Sequence, residues 1–146
     1  MLRSILMWMS LAVAAFPAYA QHQDSYQGHY SNNQAQALNA DLVRKDGDRY
    51  SIALSTLVPI TDKQPGCAGS ISGEAVFKGK SATLKVKNEG FNAQLKESAQ
   101  NRQFCEIKLT LLDKYKMKLE EVAGCSYYHG ASCSFNGVVE HDASGI

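Results

Sequence analysis

The sequence predicts an all-β fold: a small antiparallel meander or β-barrel of about 6–8 strands carrying two disulfides. Three observations carry that expectation. Runs in which apolar and polar residues alternate recur along the chain, the period of a strand with one face toward a core and one toward water. Clusters of Gly, Asp and Lys separate those runs at short intervals, as hairpin turns do. Four cysteines, an even number, lie among the same runs. Nothing in the spacing calls for a βαβ unit or a helix of useful length.

The chain opens with a targeting segment. Arg3 supplies a positive start, Ile5 to Phe16 an apolar run, and Ala18-Tyr19-Ala20 a small-x-small cleavage site. The apolar run, about 12 residues, is too short for a bilayer core of roughly 30 Å. Residues 1–20 therefore read as a signal peptide and Gln21 as the start of a soluble mature chain. No cysteine stands near the cleavage point, so no lipid anchor is expected, and the protein should be periplasmic or secreted.

Residues 21–36 are rich in Gln, Asn, Ser and His and read as a polar N-terminal arm, although Tyr26-Gln27-Gly28-His29-Tyr30 could also begin a first strand. Residues 37–146 read as a single β-domain, large enough for its own core. Tyr50, Ile52 and Leu54 alternate with Ser51, Ala53 and Ser55, and Leu84 and Val86 with Thr83, Lys85 and Lys87. Ile107, Leu109 and Leu111 alternate with Lys108 and Thr110, and Met117 and Leu119 with Lys116, Lys118 and Glu120. Asp46-Gly47-Asp48, Lys78-Gly79-Lys80 and Asp113-Lys114 read as hairpin turns. The polar excursion from Asn88 to Gln103 has room for one short helical turn. Gly66, Gly69 and Gly73 mark a bend or bulge around Cys67. Period-two alternation does not separate a barrel from a tight sandwich.

All four cysteines (Cys67, Cys105, Cys125, Cys133) lie in the exported part, so an oxidising compartment should close two disulfides. Of three possible pairings, Cys67 with Cys105 and Cys125 with Cys133 is expected: the second pair is close in sequence and the first would tie distant strands. In the chain-entropy model those loops are worth about 4 and about 2.5 kcal/mol, so Cys67→Ser should cost more than Cys133→Ser. No pair has zinc-ligand spacing or forms Cys-x-x-Cys, and no metal or other cofactor is expected.

Loss of Arg3 with the leader leaves 14 basic residues of the original 15 against 14 acidic ones. A formally neutral chain argues against nucleic-acid or membrane-surface binding. Lys85, Lys87, Lys108, Lys116 and Lys118 fall on the solvent side of their strands and keep an exposed sheet soluble. The chain offers no Gly-x-Ser-x-Gly elbow, and Glu120 and Glu121 point to opposite faces. An enzyme is not expected.

Of the histidines His22, His29, His129 and His141, His129 stands out by lying between Cys125 and Cys133. It could titrate near neutral pH or present a donor to a partner, though a hydrogen bond to a loop carbonyl is commoner. Tyr127 and Tyr128 share the loop. Adjacent extended residues point opposite ways, so at least one should pack inward; the other could stand exposed as a contact residue, though packing of both is commoner.

Three stretches carry a family likeness: Gly66-Cys67-Ala68-Gly69-Ser70-Ile71-Ser72-Gly73, then Cys105-Glu106-Ile107, then Gly124-Cys125 through Cys133-Ser134-Phe135-Asn136-Gly137. They resemble small exported disulfide-bonded bacterial β-domains, some described as lysozyme-inhibitor-like. In the periplasmic inhibitors of C-type lysozyme, a Ser-Gly-bearing loop enters the enzyme's acidic cleft. The resemblance implies that part for Ser72-Gly73, with Ser70 or Lys78 facing the catalytic carboxylates. Glu74 and Ala75 stand where those inhibitors carry an aromatic.

The expected function is thus an exported protein-binding module, inhibiting a lysozyme or other cell-wall hydrolase, with contacts from Ser70, Ser72, Lys78, Tyr127, Tyr128 and His129. The alternatives are a secreted or periplasmic virulence or stress factor acting on a host or envelope target, and a small-ligand carrier. No nucleic-acid partner and no stable membrane insertion after signal cleavage are expected.

Overall fold

The structure, a computed structural model, describes residues 25–145. The signal segment expected at residues 1–20 lies outside the described residues. Eight strands follow in chain order: β1 (Gly28–Ser31), β2 (Ala37–Asp46), β3 (Arg49–Val58), β4 (Cys67–Val76), β5 (Ser81–Lys87), β6 (Phe104–Leu111), β7 (Lys116–Ala123) and β8 (Gly137–His141). They form one antiparallel sheet in the order β4-β3-β2-β1-β8-β7-β6-β5. β4 and β5 are consecutive in the chain yet stand at opposite ends of that order. The sheet rolls round until its ends meet, which gives a nearly closed barrel.

Alternation explains the inside. Leu38, Ala40 and Leu42 of β2, Tyr50, Ile52 and Leu54 of β3, and Leu84 of β5 are buried. So are Ile107, Leu109 and Leu111 of β6 and Met117 and Leu119 of β7. Register puts them side by side: Leu54 lies between Ala40 and Ile71, and Leu109 between Ala82 and Leu119. Each large aliphatic side chain so buried contributes roughly 1.5–3 kcal/mol. Their partners on the outer face are half-buried or exposed, and the lysines named above are all exposed.

A first strand forms where Tyr26–Tyr30 allowed one, and three other expectations need correcting. The polar arm contains β1, and Tyr30 at its centre is 1% exposed. β1 fills the gap between β2 and β8, pairing Tyr30 with Ala40 on one side and His141 on the other. A four-residue strand of polar composition has little propensity of its own, and its neighbours hold it. The bend expected around Cys67 is instead a continuous strand. The register shifts fall elsewhere, between Arg44 and Asp46 and between Glu106 and Ile107. The excursion from Asn88 to Gln103 holds turns and a bridge between Ser98 and Asn101 rather than a helical turn.

The third correction is the disulfide pairing. The bonds are Cys67–Cys133 and Cys105–Cys125, 66 and 20 residues apart. Cys105 lies near the start of β6 and Cys125 just beyond β7, its hydrogen-bonded neighbour, and their Cα atoms lie 4.4 Å apart. The segment after Cys125 does not fold back on itself. It crosses the end of β5 and reaches β4, where Cys133 meets Cys67. No cysteine is free, and two closed disulfides fit an oxidising compartment. Among the described residues no helix is long and apolar enough to cross a membrane.

Candidate functional site

The segment 125–133 is built by the strands around it. Gly124 turns the chain out of β7 with φ 72°. A Cβ there would stand 2.0 Å from the Phe104 carbonyl oxygen, so the position demands glycine by both backbone sign and space. A 3-10 turn spans Cys125–Tyr127, closed by Tyr128 N–H donating to the Cys125 carbonyl. Asn88, buried at the end of β5, donates its amide hydrogens to the carbonyls of Arg102 and Gly124, both at 2.9 Å, and so fixes the root of the loop.

Beyond the turn the chain runs as a short antiparallel addition to β4, with His129 opposite Gly69. Ser70 N–H donates to the Tyr128 carbonyl at 3.1 Å, and Gly130 N–H to the Ala68 carbonyl at 3.4 Å. Gly69 permits the approach, because a Cβ there would stand 2.4 Å from the His129 Cβ. At the same time the Tyr128 hydroxyl donates to the Lys87 carbonyl at the end of β5, at 2.7 Å. One residue therefore touches both ends of the rolled sheet. Its ring is partly buried, and burial pushes its phenol pKa up.

The remaining edge is open. Hydrogen-bonding direction alternates along a strand. Since Ser70 N–H points away from β3, the main-chain groups of Ser72 and Glu74 do too. The Lys87 carbonyl faces away from β6, and by the same alternation so do the groups of Thr83 and Lys85. β4 and β5 share no ladder. The two strands still lie side by side, and on the inner face a Cβ at Gly73 would meet Leu84 and Val86, each at 3.0 Å. A groove of about 530 Å³ runs along this seam, lined by Ser70, Ile71 and Ser72 of β4, Val86 and Lys87 of β5, and Tyr128.

The predicted residues divide accordingly. Ser70, Ser72 and Tyr128 come together at the groove. Tyr127 is 53% exposed, edge-on to the Tyr128 ring at 5.3 Å, but faces a separate hollow shared with Asn88 and Gly90. Lys78 sits at the other end of β4, in the turn to β5, apart from the rest. Ser72-Gly73 stands within a strand, so the projecting Ser-Gly loop implied by the resemblance is absent here. The loop between β3 and β4 presents an exposed apolar side chain, Ile60, as do the connections after β5 with Leu95 and after β6 with Leu112.

His129 is enclosed, its side chain 9% exposed. Its Nδ1 lies 2.7 Å from the Gly130 carbonyl, and its Nε2 3.0 Å from Glu121 Oε1, a contact without hydrogen-bond alignment. Its ring is edge-on to Phe135 at 5.4 Å. Its contacts are with the loop, Glu121 and Phe135, the commoner arrangement for such a histidine. The five lysines make no uniform basic face either. Lys85 pairs with Glu106 and Lys118 with Glu120, each at 2.8 Å, and Lys116 with Glu140 at 3.2 Å.

Sequence reasoning missed Asn88 and Lys87. Asn88 follows an alternating run and reads as the start of a turn, while Lys87 acts through its main chain, which leaves no trace in residue type. Among the described residues no group of three metal-ligating side chains gathers. Comparison with known protein families, with curated proteins and with solved structures finds no match to this chain.

Proposed function

We propose that the protein is an exported protein-binding module, acting in the periplasm or outside the cell, that takes an extended segment of a partner along the outer edge of β4. Cell-wall hydrolases, lysozymes included, are the first partners to try, with other envelope or host proteins beyond them. The observation that carries the reading is the open edge at Ser72 and Glu74 beside the seam groove. An exposed strand edge templates pairing with another chain, and strand addition gives affinity through the main chain and specificity through pockets for alternate side chains. Segment 128–130 already occupies the neighbouring stretch of the same edge in this manner. Two disulfides keep the edge rigid, which lowers the entropy lost on binding. The charged side chains of Glu74, Lys85 and Lys87 around the seam oppose pairing between copies.

Ser72→Pro tests the reading. Proline removes one N–H that points away from β3, a place where strands tolerate it. Binding of a hydrolase in solution, and inhibition in a lysozyme turnover assay, should be lost in the variant while its melting temperature stays close to the parent's. Equal binding by both proteins would overturn the edge reading, and no binding by either to any hydrolase would remove that class of partner.

A further inference from the structure

A second cleft lies at the far end of the barrel from the 125–133 loop. Four chain segments meet there: residues 25–27 entering β1, the turn between β4 and β5, the turn between β6 and β7, and the 3-10 turn Asp142–Gly145 that ends the described chain. The barrel interior itself is filled by side chains, so this is a mouth and not a lumen. Its volume is about 520 Å³, within the usual range for small-molecule sites.

The wall is aromatic and held in place. Tyr26, Tyr30, Tyr115 and His141 line the cleft. The Tyr26 ring packs on Phe77 with centroids 4.9 Å apart, and its main-chain N–H donates to the Tyr50 hydroxyl. Tyr30 donates its hydroxyl hydrogen to the Tyr26 carbonyl and stands edge-on to His141 at 4.8 Å. Burial pushes the Tyr30 phenol up to about 12, which keeps it neutral. Both ring nitrogens of His141 are engaged: Nδ1 accepts from Ala143 N–H, and Nε2 faces the Gln27 carbonyl at 3.2 Å. Its contribution is a ring surface.

The charge is lopsided. Lys80 and Lys114 both line the cleft, and neither joins an ion pair among the described residues. Lys114 lies over the Tyr115 ring, 5.1 Å from its centroid. One carboxylate, Asp113, also lines the cleft, its Oδ1 accepting N–H bonds from Tyr115 and Lys116, each at 2.8 Å, so the lysines outnumber it two to one. Two ammonium groups beside a preformed aromatic wall suit a ligand with a flat ring and a negative group.

We propose that this cleft binds a small organic anion bearing a ring system, with the ring against Tyr26 and Tyr115 and the anionic group on Lys80 and Lys114. The site is separate from the β4 edge and stands or falls independently of it.

A matched pair of fluorescent probes tests the proposal on the disulfide-bonded protein. 8-Anilinonaphthalene-1-sulfonate carries the ring system and a sulfonate, whereas N-phenyl-1-naphthylamine carries the ring system alone. The expected result is saturable one-to-one binding of the sulfonate, at least roughly tenfold tighter than the neutral probe, since charge-assisted hydrogen bonds are the stronger kind. Lys80→Gln/Lys114→Gln should lose that advantage, and Lys108→Gln/Lys118→Gln on the outer sheet should keep it, with both variants melting near the parent. Absence of saturable binding, equal affinity for both probes, or sulfonate binding unchanged in the Lys80/Lys114 variant would overturn it.

Discussion

The hydroxyl of Tyr128 donates to the main-chain carbonyl of Lys87 across 2.7 Å, at the line where the sheet stops short of closing. Since the Tyr128 carbonyl accepts from Ser70 at the same time, this residue is a clasp between β4 and β5. Tyr128→Phe keeps the ring and removes the clasp's hydroxyl. It should destabilise the fold by about 0.5–1.5 kcal/mol, the net worth of one hydrogen bond. Tyr127→Phe should stay within about 0.5 kcal/mol, as an exposed substitution away from such features does. Thermal denaturation of the two variants beside the parent checks the difference.

Cys67 and Cys133 share a bond, so Cys67→Ser and Cys133→Ser should destabilise equally. Cys105→Ser and Cys125→Ser should also match each other, at a smaller cost. The chain-entropy model assigns about 4 kcal/mol to the 66-residue loop and about 3 to the 20-residue one. Chemical denaturation of the four variants measures this, and peptide mapping without reduction reads the connectivity itself. The pairing expected from sequence would instead make Cys125 and Cys133 the matched pair.

Two glycines with similar backbones separate space from strain. Gly79 has φ 63° with nothing near a Cβ, whereas Gly124 has φ 72° with a carbonyl in the way. Alanine at Gly79 should cost about 1 kcal/mol, the left-handed penalty alone. Gly124→Ala should cost well over about 2 kcal/mol, because the turn into the 125–133 segment must move as well. Comparable melting points for the two variants would show that the Phe104 carbonyl yields easily.

The His29 imidazole hydrogen-bonds the Asp41 carboxylate at 2.6 Å, which raises its pKa above 6.5. A folded value above the unfolded one means that the stabilisation is complete below 6.5. It is lost as pH rises through the raised value. The pair is exposed, so its worth is at most about 1 kcal/mol. Imidazole titration by NMR should place His29 above 6.5 in the parent and lower in Asp41→Asn. The gap in melting temperature between the two should be present at pH 5 and gone at pH 9.

The parts of the fold that could be read from sequence are those where one side chain type repeats. β3, β5, β6 and β7 carry strict alternation at Tyr50–Leu54, Leu84–Val86, Ile107–Leu111 and Met117–Leu119, and all are strands. β1 left no such trace, because four residues with one large apolar member are held by neighbours far away in sequence. β4 was hidden by its glycines. Gly69 and Gly73 face inward where the His129 backbone and the side chains of Leu84 and Val86 crowd them, so the inner face of the strand looks like a turn. The disulfides were misassigned because closeness in sequence says nothing about a segment that crosses from one end of a rolled sheet to the other. The loop with Tyr127, Tyr128 and His129 was conspicuous, but its clasp works largely through main-chain groups. Residue type does not record those.

Amide hydrogen exchange along β4 tests the open edge most directly. The account predicts alternation residue by residue: Ser72 and Glu74 exchange fast, while Ile71, Gly73 and Ala75, whose N–H groups point to β3, exchange slowly. Protection at Ser72 and Glu74 equal to that of their neighbours would mean that the edge is already covered, and would contradict the account.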